Sequence, residues 1–566
     1  MTKTPNDLLM RKFPNTLAIC LLIGFLWIPI GSQASSFAPS NNKLQHARQI
    51  FNRLVEARGD KSLPAPELLW DARKSRGAVF LPGTNKIMLE AEAYKICMSF
   101  GERREDALAY LLSHELIHYY KGHGWEADFA DAYSGTAIAA AVDEQERDEK
   151  QQETESDLLG GFLAYTAGYN TAGIGAQLYP KLYEAYPKWR KEGSAIYPSM
   201  EERILIAQDT EKKLKDLIEV FETANYLVAL RDFDGALDFY EHILENYSSP
   251  EIHNNLGVVA CMLAMSKVDI NLLKYLYPLE LDAVERFRND QRNGEIDLEV
   301  AVYCDSLLSV AIRHFNDALT LNADYHTGVL NLGCAYALRG FFNAAKDPQK
   351  QALYYNYAAV YAEDALLRGQ AEQRTKLIED AYCLKGIIAV EQSPNEAEAF
   401  FAEAAKRGSL GQANLAQYLG TPLSTSAGRT LTGAAEFVDD YNLKIKFMQN
   451  RVAPDPGTMR TLNKRKKRQW GTKRLELDHS RILIDYVSLS DVTIIHTTQP
   501  GYSKKTKKGI AIGASREEIE SAYGLPSRTY NLSNGTFLVY DLFAMVFRVN
   551  AEGELTEWAV YQRKPQ

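Results

Sequence analysis

Residues 105–121 read EDALAYLLSHELIHYYK, and the fold and chemistry of the chain turn on this stretch. Leu108, Leu111, Leu112 and Leu116 recur three or four positions apart, which predicts a helix with a buried face. Inside it lies His114-Glu115-Leu116-Ile117-His118. Histidines four apart stack on one side of a helix, so both imidazoles can reach one metal ion. Glu115, one position on, projects beside that ion, where a carboxylate can take a proton from water. Two solvated surface histidines are the alternative, but the surrounding stretch is apolar. Histidine is also scarce: of 10 in 566 residues, His114, His118 and His123 fall within ten positions.

A catalytic zinc site usually has three protein ligands and one open position. Downstream, residues 143–157 read DEQERDEKQQETESD, followed by Leu158, Leu159 and Phe162. Glu153 and Asp157 are four apart on one helix face, immediately before the apolar stripe. That spacing favours Glu153 as the third ligand over its competitor Glu155, with Asp157 orienting a ligand imidazole. Gly160 and Gly161 would let the neighbouring helix come close.

The chain is 46% hydrophobic and 24% charged, which excludes collagen-like, low-complexity and wholly disordered classes. Its length suggests about three or four domains. Lys and Arg total 64 against 73 Asp and Glu, a net charge of −9, so no nucleic-acid partner is expected. At the N-terminus, Lys3, Arg11 and Lys12 precede an apolar run from Leu17 to Ile30, then Ser32-Gln33-Ala34. This pattern predicts a signal peptide over 1–34, cleaved after Ala34, with an uncleaved anchor as the alternative. The run is shorter than the ~20 apolar residues a spanning helix needs. No later segment is apolar enough to span a bilayer, which points to a periplasmic protein with no membrane span after cleavage, able to associate with the membrane. Cys97, Cys261, Cys304, Cys334 and Cys383 form no CxxC pair, and no disulfide framework is indicated.

From about 213 the sequence becomes long helical stretches rich in Ala, Leu and Tyr. Leu230–Leu237 leads to Tyr240 and Asn255-Leu256-Gly257. A second copy runs from Ala318–Asp324 to Asn331–Tyr336, and a third spans Leu384-Lys385-Gly386 and Ala397–Gly408. These resemble tetratricopeptide repeats, in which a small residue lets two helices pack and an aromatic four later fills the groove. Gly257 and Gly333 are 333 − 257 = 76 residues apart, so insertions are required between copies. Such arrays present a concave face to peptide or protein partners. Residues 421–470 read as a junction with Pro454 and Pro456. The basic run Lys464–Arg468 is expected to be a solvated face. Arg481–Val487 reads as a strand. Ser515 and Glu518 form a capping box opening a helix that ends near Gly524 and Pro526. Strands are expected at Phe537–Tyr540, Ala544–Val549 and Leu555–Tyr561.

Together, SHELIHYYKGH (113–123), ETESDLLG (153–160) and AYTAGYN (164–170) resemble the HtpX-like and BepA-like gluzincin metalloproteases. The resemblance implies zinc ligation by His114, His118 and Glu153, with Glu115 as general base. Asp157 matches the family's Asp, with Ser156 where Ala is commoner. His123 matches a histidine many members carry five residues after the motif. The region from Ala78 to Leu89 resembles the family's edge strand, which is expected to pair with an extended substrate. Members often carry His-Pro before a Glu-Arg pair; here Tyr197-Pro198 precedes Glu202-Arg203. Arg203 fits the pattern and is expected, with Glu115 and Tyr197, among the catalytic residues; a Tyr197 hydroxyl could donate to a tetrahedral intermediate. BepA-like members join such a protease to a repeat array. The last segment, Gly509 to Gln566, resembles the small α+β modules of SmpA-type envelope lipoproteins.

The expected architecture is therefore mostly α. A zincin-type α+β domain would cover 42–212, a tetratricopeptide-like solenoid 213–420, a junction with short strands 421–504, and a small α+β module 505–566. The expected function is an exported zinc endopeptidase acting on misfolded or misassembled envelope proteins, with protein partners bound by the repeats. The alternative is a non-proteolytic scaffold or chaperone with a vestigial metal site.

Overall fold

Helical periodicity dominates the sequence, and a computed structural model of the protein is mostly helical, with a separate antiparallel sheet near the C-terminus. The structure describes residues 39–123, 149–187, 199–268, 272–281, 283–284, 297–344, 346–421, 459–475, 479–488, 491–499, 501–532 and 535–562. The expected signal peptide, Tyr197 and most of the expected junction lie outside them. Among the described residues no helix is long and apolar enough to cross a membrane. The five described cysteines are buried, and none of them forms a disulfide.

The first region opens with α1 (Pro39–Arg58), followed by β1 (Glu67–Asp71), β2 (Ala78–Leu81), β3 (Lys86–Glu90), α2 (Ala91–Met98) and α3 (Arg104–Lys121). The strands form a sheet of order β1-β3-β2, with β1 parallel and β2 antiparallel to β3. A Pro82-Gly83 turn makes the hairpin; Gly83 takes φ 68°, which a side chain would resist. β2 is left as an edge beside α3. Leu108, Leu112, Leu116 and Ile117 of α3 are buried in the core, as the leucine spacing predicts.

Next come α4 (Glu149–Thr166), α5 (Ile174–Ala185) and the 30-residue α6 (Met200–Ala229). Gly160 lets α4 lie directly on α3: a Cβ there would meet the His114 backbone nitrogen at 2.9 Å. Gly161 accommodates Leu214 of α6 on the other side. The α6 helix opens with a capping box, Ser199 and Glu202. The boundary expected between 212 and 213 falls inside this helix and is corrected accordingly. One long helix, with one face buried, packs against α4 and α5 with its N-terminal part and against the helix that follows it with its C-terminal end.

The helical region continues with α7 (Phe233–Leu244), α8 (Pro250–Met265), α9 (Leu298–Leu321), α10 (His326–Asn343), α11 (Pro348–Ala371), α12 (Thr375–Gln392), α13 (Pro394–Ala405) and α14 (Ser409–Leu419). A two-residue ladder, β4 (Glu280–Leu281) with β5 (Ala283–Val284), interrupts it. Each helix packs against the next. Helices start where the chemistry says they should: Ser249 and Asp347 cap α8 and α11, each followed by proline. Gly257 and Gly386 sit under aromatic rings of the following helix, Phe315 and Phe401, where an added Cβ would come within 2.6 and 2.5 Å.

The C-terminal sheet holds β6 (Arg460–Asn463), β7 (Arg468–Leu475), β8 (Ser480–Ser488), β9 (Asp491–Thr498), β10 (Arg528–Leu532), β11 (Gly535–Tyr540), β12 (Met545–Val549) and β13 (Leu555–Gln562), with α15 (Arg516–Tyr523) between the two meanders. Its order is β10-β11-β12-β13-β9-β8-β7-β6, antiparallel throughout. The boundary expected at 504/505 therefore cuts one sheet in two, since β9 pairs with β13, Thr497 opposite Ala559. The capping box at Ser515 and Glu518 forms as expected. Both faces of the sheet are buried. Ile482, Ile494 and Trp558 pack with α15, whereas Leu483, Ile495 and Phe537 join the main core.

Charged contacts fasten this sheet to the helices. Arg468 reaches Asp234, Asp238 and Asp485 at 2.9, 2.9 and 2.6 Å, and Lys466 reaches Asp234 and Asp238 at 3.1 Å. The basic run expected to be solvated is thus partly a docking element. A second cluster is largely buried. Glu222 of α6 accepts from the Tyr165 hydroxyl of α4 and pairs with Arg548 at 2.8 Å, and Arg548 pairs with Glu557 at 2.7 Å. Arg481 lies 3.7 and 3.5 Å from the same two carboxylates.

Candidate metal centre

The α3 and α4 helices cross where Gly160 removes the side chain, and this brings His114, His118 and Glu153 together. One ligand atom from each lies within 4.8 Å of the others. The two imidazole Nε2 atoms are 3.0 Å apart, with Glu153 carboxylate oxygens 3.3 Å from His114 and 3.5 Å from His118. Ligands bound tetrahedrally at ~2.1 Å stand about 3.4 Å apart, and these separations, with Glu153 Oε2 facing His114 and Oε1 facing His118, lie near that value.

The nitrogens facing this triangle are set by what lies behind them. Asp157 Oδ1 accepts from His114 Nδ1 at 2.9 Å, which leaves Nε2 bare for a metal. Behind His118 the arrangement has one more link. Lys121 ends α3, and Gly122, at φ 69°, turns the chain so that the His123 amide bonds the His118 carbonyl. His123 Nδ1 then lies 3.0 Å from His118 Nδ1, and its Nε2 lies 3.4 Å from Glu155. With the Glu155 carboxylate accepting from His123 Nε2–H, His123 Nδ1 accepts from His118 Nδ1–H, and His118 Nε2 faces the centre in turn. Ser156 Oγ adds a 3.3 Å contact to His123 Nδ1. Glu155, the competing ligand, instead pairs with His123 and with Lys121 at 2.7 Å. The hydrogen bond from His123 holds its carboxyl down to about 2, against partial burial and with help from Lys121.

Arg203 enters from the first turn of α6 and is buried. It donates to Asp157 through two nitrogens, at 2.6 and 3.0 Å, and lies 3.0 Å from Glu153. The Tyr179 hydroxyl donates to Asp157 Oδ1 at 2.7 Å, and the Arg203 guanidinium lies 4.0 Å over the Tyr179 ring. Arg203, expected in a catalytic role, is therefore a positioning residue set behind the ligands.

Electrostatics supports a cation at the centre. Burial pushes the Glu153 carboxyl up, but Arg203 and His114 outweigh it and hold Glu153 well below the usual range. Burial likewise opposes charge on His114, yet Glu153 and Asp157 lift it to about 10. Without metal the site answers its carboxylates with a proton on His114. A divalent ion would take that place and release it. The donor set of two imidazoles and one carboxylate suits zinc.

Glu115 projects from the same turn of α3 toward the edge strand, and its Oε2 accepts the Phe80 backbone N–H at 2.7 Å. The contributions of Tyr179, of Glu155 behind His123 and of the Phe80 amide were not foreseen from sequence, whereas His123 was expected beside the ligands. Tyr179 sits in an apolar helix 22 residues from its partner, with no local signal. The chain matches no protein-family model and no curated protein.

Proposed function

We propose that the chain is an exported, periplasmic zinc endopeptidase of the HtpX-like and BepA-like gluzincin kind, with a zincin-type catalytic region and a tetratricopeptide-like array. One observation carries this reading: His114, His118 and Glu153 converge at zinc dimensions while Glu115 sits against an edge strand. A bound zinc supplies Lewis acidity toward a scissile carbonyl and makes water acidic enough to be deprotonated near neutral pH.

The chain's own residues do the rest. The β2 edge pairs with an extended substrate, so main-chain hydrogen bonds align the peptide. The Glu115 carboxylate takes the proton of the attacking water and returns it to the leaving amine nitrogen. Asp157 and the Glu155–His123 relay keep both imidazoles aimed, and Arg203 balances the carboxylates behind them. The Tyr197 hydroxyl is assigned to the developing oxyanion. Substrates are misfolded or misassembled envelope proteins, delivered or restrained by the helical array, and the C-terminal sheet serves recognition rather than chemistry.

The test is zinc content together with casein cleavage by the full chain, beside Glu115→Gln. The variant should keep its zinc and lose cleavage. Full activity in Glu115→Gln, or a wild-type chain that neither holds zinc nor cleaves casein, would overturn the proposal.

A further inference from the structure

A second group of metal-ligating side chains lies well away from the first, between α8 and α9. His253 stands in the first turn of α8, and His314 and Asp317 lie three apart on α9, facing it. The two Nδ1 atoms are 3.0 Å apart, and Asp317 Oδ2 is 3.7 Å from each. A triangle with those sides has a point about 2.0 Å from all three corners, which is the zinc–nitrogen and zinc–oxygen bond length. A hydrogen bond between the imidazoles would account for the first distance. It would not account for a carboxylate equidistant from both nitrogens and too far to bond either.

The surroundings also prepare the site. Ser248 Oγ lies 2.9 Å from His253 Nε2 and can accept its proton, leaving Nδ1 bare. His314 Nε2 faces the Arg313 guanidinium at 3.4 Å; that side chain is exposed and free to swing away when Nε2 carries the proton. The two histidine side chains are 12% and 9% exposed and Asp317 46%, so the site opens to solvent on one side only. That leaves an entry path and a fourth position for water.

We propose that His253, His314 and Asp317 bind a second divalent transition-metal ion of the zinc type, clamping α8 to α9. Two imidazoles with one carboxylate select zinc and its neighbours over calcium or magnesium, which take oxygen ligands. The clamp lies at a junction. Arg58 of α1 donates to the Ser248 carbonyl, and the Lys61 amide donates to the Leu321 carbonyl at the end of α9, at 2.7 Å. Fixing α8 against α9 therefore fixes the platform on which the end of α1 rests.

The experiment uses the full chain, stripped with chelator and titrated with zinc alone, and reads bound metal by mass spectrometry after gel filtration. A His118→Ala background weakens the first site, so the second is counted whatever that first site does. This background should still bind one zinc, and zinc should raise its melting midpoint by several degrees. Adding Asp317→Asn, at a partly exposed position that disturbs no core, should weaken that binding at least tenfold and abolish the melting shift. His253→Gln should do the same. A His118→Ala chain that binds no zinc, or an unchanged titration after Asp317→Asn, would overturn the proposal.

Discussion

The Phe80 backbone N–H donates to Glu115 Oε2 at 2.7 Å, tying the carboxylate beside the metal centre to the edge strand expected to receive substrate. Strand and base are therefore one unit: whatever pairs with β2 also positions Glu115. Phe80→Pro removes this donor at an edge, where proline is tolerated. A hydrogen bond to a charged group contributes about 1.5–3 kcal/mol, so casein cleavage should slow by about ten- to a hundredfold while zinc content stays constant. Phe80→Ala keeps the N–H and should lose far less. Equal rates in the two variants would contradict the assignment.

Asp157 holds His114 and Arg203 at once. Asp157→Asn should lower zinc affinity about ten- to a hundredfold, the usual effect of losing a partner behind a ligand. It should also destabilise the fold by about 3 kcal/mol, because Arg203 loses its main counter-charge while buried. Adding Arg203→Met should restore part of the stability but none of the zinc affinity. Denaturant midpoints and zinc titrations on the single and double variants separate the two effects.

His123 reaches the candidate metal centre through His118. His123→Ala should weaken zinc binding about tenfold, with a stability change within about 1 kcal/mol at this half-buried position. Zinc titration with a competing chelator reads the first quantity and urea unfolding the second. If affinity is untouched, the relay from Glu155 does not set the His118 tautomer.

Gly160→Ala tests the helix crossing itself. Its Cβ would stand 2.9 Å from the His114 backbone nitrogen, a rigid neighbour that cannot rotate away. The α4 helix must move off α3, carrying Glu153 with it. Overpacking of this kind costs about 1–3 kcal/mol. The melting midpoint and the zinc content should fall together, and a variant with normal zinc affinity would show that the helices do not need this contact.

The parts of the site legible in the sequence are those held on one helix. His114, Glu115 and His118 follow from helical spacing, and Glu153 with Asp157 from the register of the next helix. Partners brought in by tertiary packing left no pattern. Arg203 meets Asp157 across 46 residues, and Arg468 meets Asp234 across 234, so the first contact had no local signal and the second residue was read as solvated. Boundaries failed for a related reason. Composition changes near 213 and 504, yet a helix and a sheet run straight through those points.

Asp485 offers a test of pH dependence away from the metal. Burial pushes its carboxyl up to about 7 although Arg468 lies 2.6 Å away, and the nearby carboxylates of Asp232, Asp491 and Asp238 push it the same way. The folded protein thus holds a proton that the unfolded chain releases near pH 4. The stability this proton provides is complete below about pH 4 and is lost as pH rises through about 7. Asp485→Asn should flatten that decline and make the chain more resistant to urea at pH 8 than wild type. Parallel midpoints for the two proteins at pH 5 and pH 8 would refute it.

The Glu222 cluster has a bearing on how the protein matures. Tyr165 lies on the helix that carries Glu153 and Asp157, and it bonds Glu222, whose cationic partners Arg481 and Arg548 come from the far end of the chain. During synthesis Glu222 leaves the ribosome more than 250 residues before the first of those arginines. Until they arrive, Glu222 lacks the two arginines that meet it inside the fold, and burying a carboxylate without them is strongly unfavourable. The helix bearing Glu153 is therefore held through Tyr165 only once those arginines are in place. A chain cut before Arg481 would lack them, and with them the seat of the candidate third ligand.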